Sequence, residues 1–116
     1  MFDNAKWYEL LSKLSGRDVI FTKATNQENH VKIKDGKIWV STNDTKFKKD
    51  YVVSRRLFER VYNRLLNDVI LSQTQICNDL KVHRSAFVIT ALSLLPEIEY
   101  IKATNSLWYR GNMNSA

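Results

Sequence analysis

Seven cations crowd one short stretch of the chain. Lys46, Lys48, Lys49, Arg55, Arg56, Arg60 and Arg64 meet only two carboxylates between them, Asp50 and Glu59. Excess positive charge in one place is the footprint of a polyanion binder, because neutralising phosphates releases their condensed counterions. Guanidinium groups suit the task, since they clamp phosphate with paired hydrogen bonds. On a helix Arg56, Arg60 and Arg64 stand one turn apart and form a ridge. Like charges at that spacing destabilise a bare helix by about 0.2–0.5 kcal/mol per pair. A ridge that costs folding stability points to a use; the competing reading is a solvated face on a Lys-rich chain.

Other chemistries fit the residues less well. Asp35 with Asp44-Thr45-Lys46 superficially matches the carboxylate, carboxylate-x-Lys arrangement of metal-dependent nucleases. Such sites set the second motif on a strand beside the first, so that both carboxylates reach one Mg²⁺. Here Asp35 falls in a hairpin turn and Asp44 in a polar loop, so no nuclease is expected. Cys77 and His83 flank a presumed turn, and the lone cysteine reads as a small packed residue rather than a nucleophile. With one Cys and two His in the chain, a Cys/His zinc site has too few ligands. Gly16, Gly36 and Gly111 are too scattered for a phosphate-binding loop. The sequence therefore predicts no enzyme, no metal and no cofactor.

Hydrophobic periodicity supplies the elements that hold the cations. Asp3 caps a first helix whose Trp7, Leu10, Leu11 and Leu14 recur at helical spacing until Ser15-Gly16. Val19-Ile20-Phe21-Thr22 is strand-like. Val31-Lys32-Ile33-Lys34 and Lys37-Ile38-Trp39-Val40-Ser41-Thr42 flank Asp35-Gly36, a type I′ hairpin signal. Alternation places Lys32, Lys34, Lys37 and Trp39 on the face opposite Val31, Ile33, Ile38 and Val40. Residues 43–50 form a polar loop and Tyr51-Val52-Val53 a short strand. Ser54 then caps a helix over 55–66, with Leu57, Phe58, Val61, Leu65 and Leu66 inward and Arg56, Arg60, Asn63 and Arg64 outward. Ser72 caps a short helix over about 73–80, and Lys81-Val82-His83-Arg84 forms a turn. A longer helix buries Phe87, Val88, Ala91, Leu92 and Leu95 and stops at Pro96. Residues 97–102 and 107–110 make a final hairpin.

Helix, tight turn, longer helix and hairpin over about 68–110 resemble a winged helix-turn-helix, on the strength of Ile76, Cys77, Leu80, Val82 and Phe87. The chain departs from that pattern at Lys81, where the family often has Gly, and at Thr90, where it usually has an apolar residue. The resemblance implies that Arg84 and Ser85 face a major groove, with Lys102 and Arg110 on the wing. Yet residues 85–95 contain no Lys, Arg, Asn or Gln, the side chains that normally read base edges. A structural or dimerising role for this element competes with base reading. The first half is also similar, through Gly16-Arg17, the Asp35-Gly36 hairpin and Ser54-Arg55-Arg56-Leu57-Phe58-Glu59, to DNA-recognition modules of prokaryotic restriction and defence proteins.

The expectation is an α+β chain. An N-terminal helix, a small antiparallel sheet and a basic helix (1–66) precede a C-terminal winged helix-turn-helix (67–110) and a flexible tail (111–116). Residues 1–66 hold 14 Lys/Arg against 8 Asp/Glu, and residues 67–116 hold 4 against 4, so affinity for a polyanion should reside in the first half. The expected function is binding of double-stranded DNA, or of the RNA of a nucleoprotein. The alternative is a phage-type inhibitor or adaptor that binds a nuclease such as a CRISPR effector. Ser93, Leu94 and Trp108 offer a patch for a homodimer, or pack on the first helix. No apolar run is long enough to span a membrane, Met1-Phe2-Asp3-Asn4 has no leader character, and a single cysteine suits the cytoplasm.

Overall fold

The Asp3 carboxylate starts the first helix by accepting the Lys6 amide at 2.9 Å, an N-cap that satisfies one of the free amides of the first turn. That helix, α1, spans Asn4–Ser15 in the computed structural model, which describes residues 1–17, 19–23, 25–42, 51–82 and 84–111. Lys46, Lys48, Lys49, Asp44 and His83, with all of 43–50 and 112–116, lie outside the described residues. Trp7, Leu10, Leu11 and Leu14 are the buried stripe of α1.

Asp35 (φ 55°) and Gly36 (φ 70°) both take left-handed backbone, as a type I′ turn requires. The hairpin they close pairs β2 (Glu28–Lys34) with β3 (Lys37–Thr42). β1 (Val19–Phe21) and β4 (Tyr51–Val53) complete an antiparallel sheet of order β1-β2-β3-β4. β2 begins at Glu28, earlier than its alternation suggests, because it pairs there with Phe21 of β1. Val31, Ile38, Val40 and Val53 face the core. Lys32, Lys34 and Lys37 are exposed on the other side.

Ser54 Oγ accepts the Arg56 amide at 3.2 Å and opens α2, Arg55–Asp68. Its buried residues are Phe58, Val61, Tyr62 and Leu65, with Leu57 and Leu66 only partly covered. The buried stripe thus centres on Tyr62 rather than on the outer leucines, since the helix packs against both halves of the molecule. It continues to Asp68 and ends at Val69, whose amide bonds to the Leu65 carbonyl at φ 71°.

The second half runs β5 (Ile70–Ser72), α3 (Gln73–Asn78), α4 (Ser85–Leu92), β6 (Ile98–Ile101) and β7 (Ser106–Tyr109), with a 3-10 turn over Lys102–Thr104 joining the last two strands. The three strands form an antiparallel sheet of order β5-β7-β6. A capping box between Ser72 and Gln75 starts α3. α4 stops at Leu92, short of the expected Leu95. The amides of Leu94 and Leu95 bond three residues back, to Ala91 and Leu92, a tightened last turn ahead of Pro96.

One contiguous core joins the two halves, from Leu10 and Leu14 through Val40, Phe58 and Leu65 to Ile76, Leu92 and Leu107. α4 lies inside it. Ser85 and residues 87–92 are all buried, as a helix apolar on every side must be. Its Thr90 is satisfied: the hydroxyl donates to the Ala86 carbonyl at 2.9 Å and accepts the Lys23 amide at 3.1 Å. A polar cluster adds a second tie. Glu97 takes the Tyr62 hydroxyl at 2.7 Å and pairs with Lys6, linking α1, α2 and the turn before β6. Leu94 packs on the core and Trp108 is half-buried. No helix among the described residues is long and apolar enough to cross a membrane.

Candidate nucleic-acid interface

The outward ridge of α2 divides into paired and unpaired cations. Arg55 Nε meets Glu59 at 2.6 Å and Arg64 Nε meets Asp68 at 2.7 Å. Both are contacts between residues four apart on one helix face. The Arg64–Asp68 hydrogen bond raises the arginine pKa and lowers that of the carboxylate. Arg55 also lies 5.7 Å from the centre of the Trp7 ring. The expected ridge of Arg56, Arg60 and Arg64 is therefore closed off at Arg64, and Arg55 beside it is paired as well. Between them, Arg56 and Arg60 are exposed and pair with no carboxylate among the described residues.

Arg60 reaches across to the second half. Its Nη1 donates to the Leu80 carbonyl at 2.9 Å, which docks the α3–α4 turn against the ridge. The next residue, Lys81, has φ 54°, and Arg84 has φ 59°. Lys81 adopts the left-handed backbone that Gly takes without steric cost. This explains how the chain makes its tight turn without a glycine. Holding non-glycine residues there costs about 1–2 kcal/mol each. The Arg84 guanidinium sits 3.8 Å from the centre of the Tyr51 ring, a cation–π contact that ties the turn to β4.

Tyr51, Val52, Val53, Leu57, Arg56 and Arg84 line a groove of about 380 Å³. Its lining is mostly apolar and includes the two guanidiniums. Arg56 and Arg84 thus share one groove, and Arg60 reaches the backbone of the α3–α4 turn next to Lys81. Asp79 and Asp68 lie toward the Arg64 end.

The remaining candidate residues are dispersed. Ser85 is buried, 7% exposed, with Oγ accepting from Gln73 Nε2 at 3.2 Å, so it presents nothing at the surface. It belongs instead to a chain of hydrogen bonds running through Gln73 and Asn105 to the Tyr100 hydroxyl. Lys102 is exposed on the 3-10 turn, and Arg110 faces Glu99 at 3.7 Å. Cys77, expected to be packed, is exposed; Ile76 takes the buried position of the short helix, and the following residue points away. On the outer face of the larger sheet Trp39 pairs across strands with Lys32, and its buried Nε1 has no acceptor among the described residues. No group of three or more His, Cys, Asp or Glu that could hold a metal occurs among the described residues.

Tyr51 and Lys81 are site residues that sequence reasoning did not single out. The signal for Lys81 was present, as a cation in the position where this kind of turn favours glycine. Nothing local marks Tyr51, because its partner is 33 residues away. No protein-family model, curated protein or solved structure matches the chain.

Proposed function

We propose that the protein binds nucleic acid, double-stranded DNA first, through its phosphate backbone, and performs no chemistry on it. The observation that carries this reading is the Arg60–Leu80 contact, which sets the α2 cations Arg56 and Arg60 against the turn that bears Lys81 and Arg84, none of the four paired with a carboxylate among the described residues. Desolvated or paired cations have already spent their charge; open ones can displace counterions from a duplex.

Residues 68–110 are read as a winged helix-turn-helix used as a scaffold. The succession α2-β5-α3-α4-β6-β7 and the sheet order β5-β7-β6 support that. The helix that would enter a major groove in such a fold is α4, and here it is interior. The reading therefore assigns affinity to phosphate contacts rather than to base edges, and sequence preference to DNA shape. The exposed, unbridged Cys77 suits a cytoplasmic setting.

The burial of α4 also favours a second reading, that of an inhibitor or adaptor whose basic patch meets the nucleic acid of a nuclease complex. A salt series decides between them. Duplex affinity should fall steeply with salt, and Arg56→Ala with Arg60→Ala should reduce the slope by about 2, at roughly 0.9 per phosphate contact. A protein that shifts no duplex at micromolar concentration and moderate salt is the adaptor instead.

A further inference from the structure

We infer that the groove between β4 and the start of α4 holds one unpaired nucleotide of a bound strand, an inference that rests on the phosphate-binding reading above. Val52, Val53 and Leu57 give it apolar walls, and Arg56 and Arg84 line it with them. A flat apolar body joined to an anion fits that combination, and a nucleotide is such a ligand. Its volume, about 380 Å³, falls within the range of roughly 300–1,000 Å³ common to small-molecule sites. A base locked in a duplex cannot enter a recess, so the occupant is a base out of the stack. Arg84 lies over Tyr51 at 3.8 Å, and guanidinium planes and aromatic rings are the groups on which unstacked bases are held. The backbone of Arg84 is kept at φ 59°, a conformation that costs energy and persists where the surroundings enforce it. A phosphorylated aromatic side chain would satisfy the same pocket. The strand is favoured because Arg60 continues the line of charge four residues, about 6 Å, along α2 beyond Arg56.

The test compares a duplex carrying a single bulged 2-aminopurine with the same duplex fully paired, at one salt concentration. The wild-type chain should bind the bulged duplex about tenfold more tightly or better, the effect of stacking one base, and the 2-aminopurine fluorescence should change on binding. Tyr51→Ala should bring the ratio of the two affinities close to one, and Tyr51→Phe should retain it. The fluorescence change needs no variant and so stands even if Tyr51→Ala fails to fold. Equal, salt-dependent affinity for both duplexes with unchanged fluorescence overturns the pocket and leaves the phosphate reading intact. Binding to neither duplex overturns both. Tighter binding of a phosphotyrosine peptide than of the bulged duplex overturns the pocket's assignment to a strand.

Discussion

The hydroxyl of Thr90, at the centre of α4, accepts the backbone amide of Lys23 at 3.1 Å. These residues are 67 positions apart, and the bond fastens the loop between β1 and β2 onto α4. It gives the one polar side chain at the centre of this buried helix a partner.

Thr90→Val removes that acceptor while preserving shape, leaving a part-buried amide unpaired. The unfolding free energy should drop by about 1–3 kcal/mol, read from urea denaturation as a lower midpoint with unchanged slope. An unchanged midpoint would show that water replaces the hydroxyl.

The division of the α2 ridge has a direct consequence. Arg56→Ala should reduce the salt slope of duplex binding by about 1. Arg64→Ala should reduce it by less than half as much, because Asp68 already occupies that guanidinium. Equal effects from the two substitutions would mean that the ion pair opens on binding.

Lys81 separates stability from binding. Lys81→Gly relieves the φ 54° backbone and should stabilise the fold by about 1 kcal/mol, while its lost charge weakens duplex binding. Thermal unfolding and a binding titration on one preparation read both signs. A simultaneous loss of stability would rule out the turn geometry.

Val69 serves as the control. A β-branched residue at φ 71° is a rare conformation, and the side chain is 44% exposed. Val69→Gly should raise stability by about 1 kcal/mol and leave duplex affinity where it was.

Glu97 and Tyr62 should make the stability of the fold depend on pH at both ends. Burial would raise the Glu97 pKa, but hydrogen bonds from Lys6 and Tyr62 outweigh it, and the net shift is below the usual 4.5. A lowered folded-state value means stability is complete above about that pH and is lost as pH falls through the folded pKa. Burial, then the Glu97 hydrogen bond, raises Tyr62 far above its usual 10.0, so its contribution is present below that pH and declines as pH rises beyond it. Glu97→Gln should flatten the acid limb of melting temperature against pH, and Tyr62→Phe the alkaline limb. An acid limb unchanged in Glu97→Gln would assign acid sensitivity to other carboxylates.

Local chemistry made much of the fold legible. Asp3, Ser54 and Ser72 cap helices because a side-chain oxygen next to a free amide is a short-range relationship. Asp35-Gly36 makes its hairpin because few residues accept two left-handed positions in succession. Even the Arg55–Glu59 and Arg64–Asp68 pairs were readable as contacts one helical turn apart, although the ridge was first counted as free charge. Tertiary structure alone decided the rest. Ser85, read as a surface residue at a groove, is interior because α4 is apolar on every side and the first half closes over it. Tyr51 meets Arg84, Arg60 meets the Leu80 carbonyl, and Thr90 meets Lys23 across separations that no period records. The sequence by itself determined most of the helices and strands, though not β5 (Ile70–Ser72), and how much charge they bear. Which of those charges stay open depended on packing, since a side chain's partners are set by the elements brought beside it and not by its neighbours in the chain.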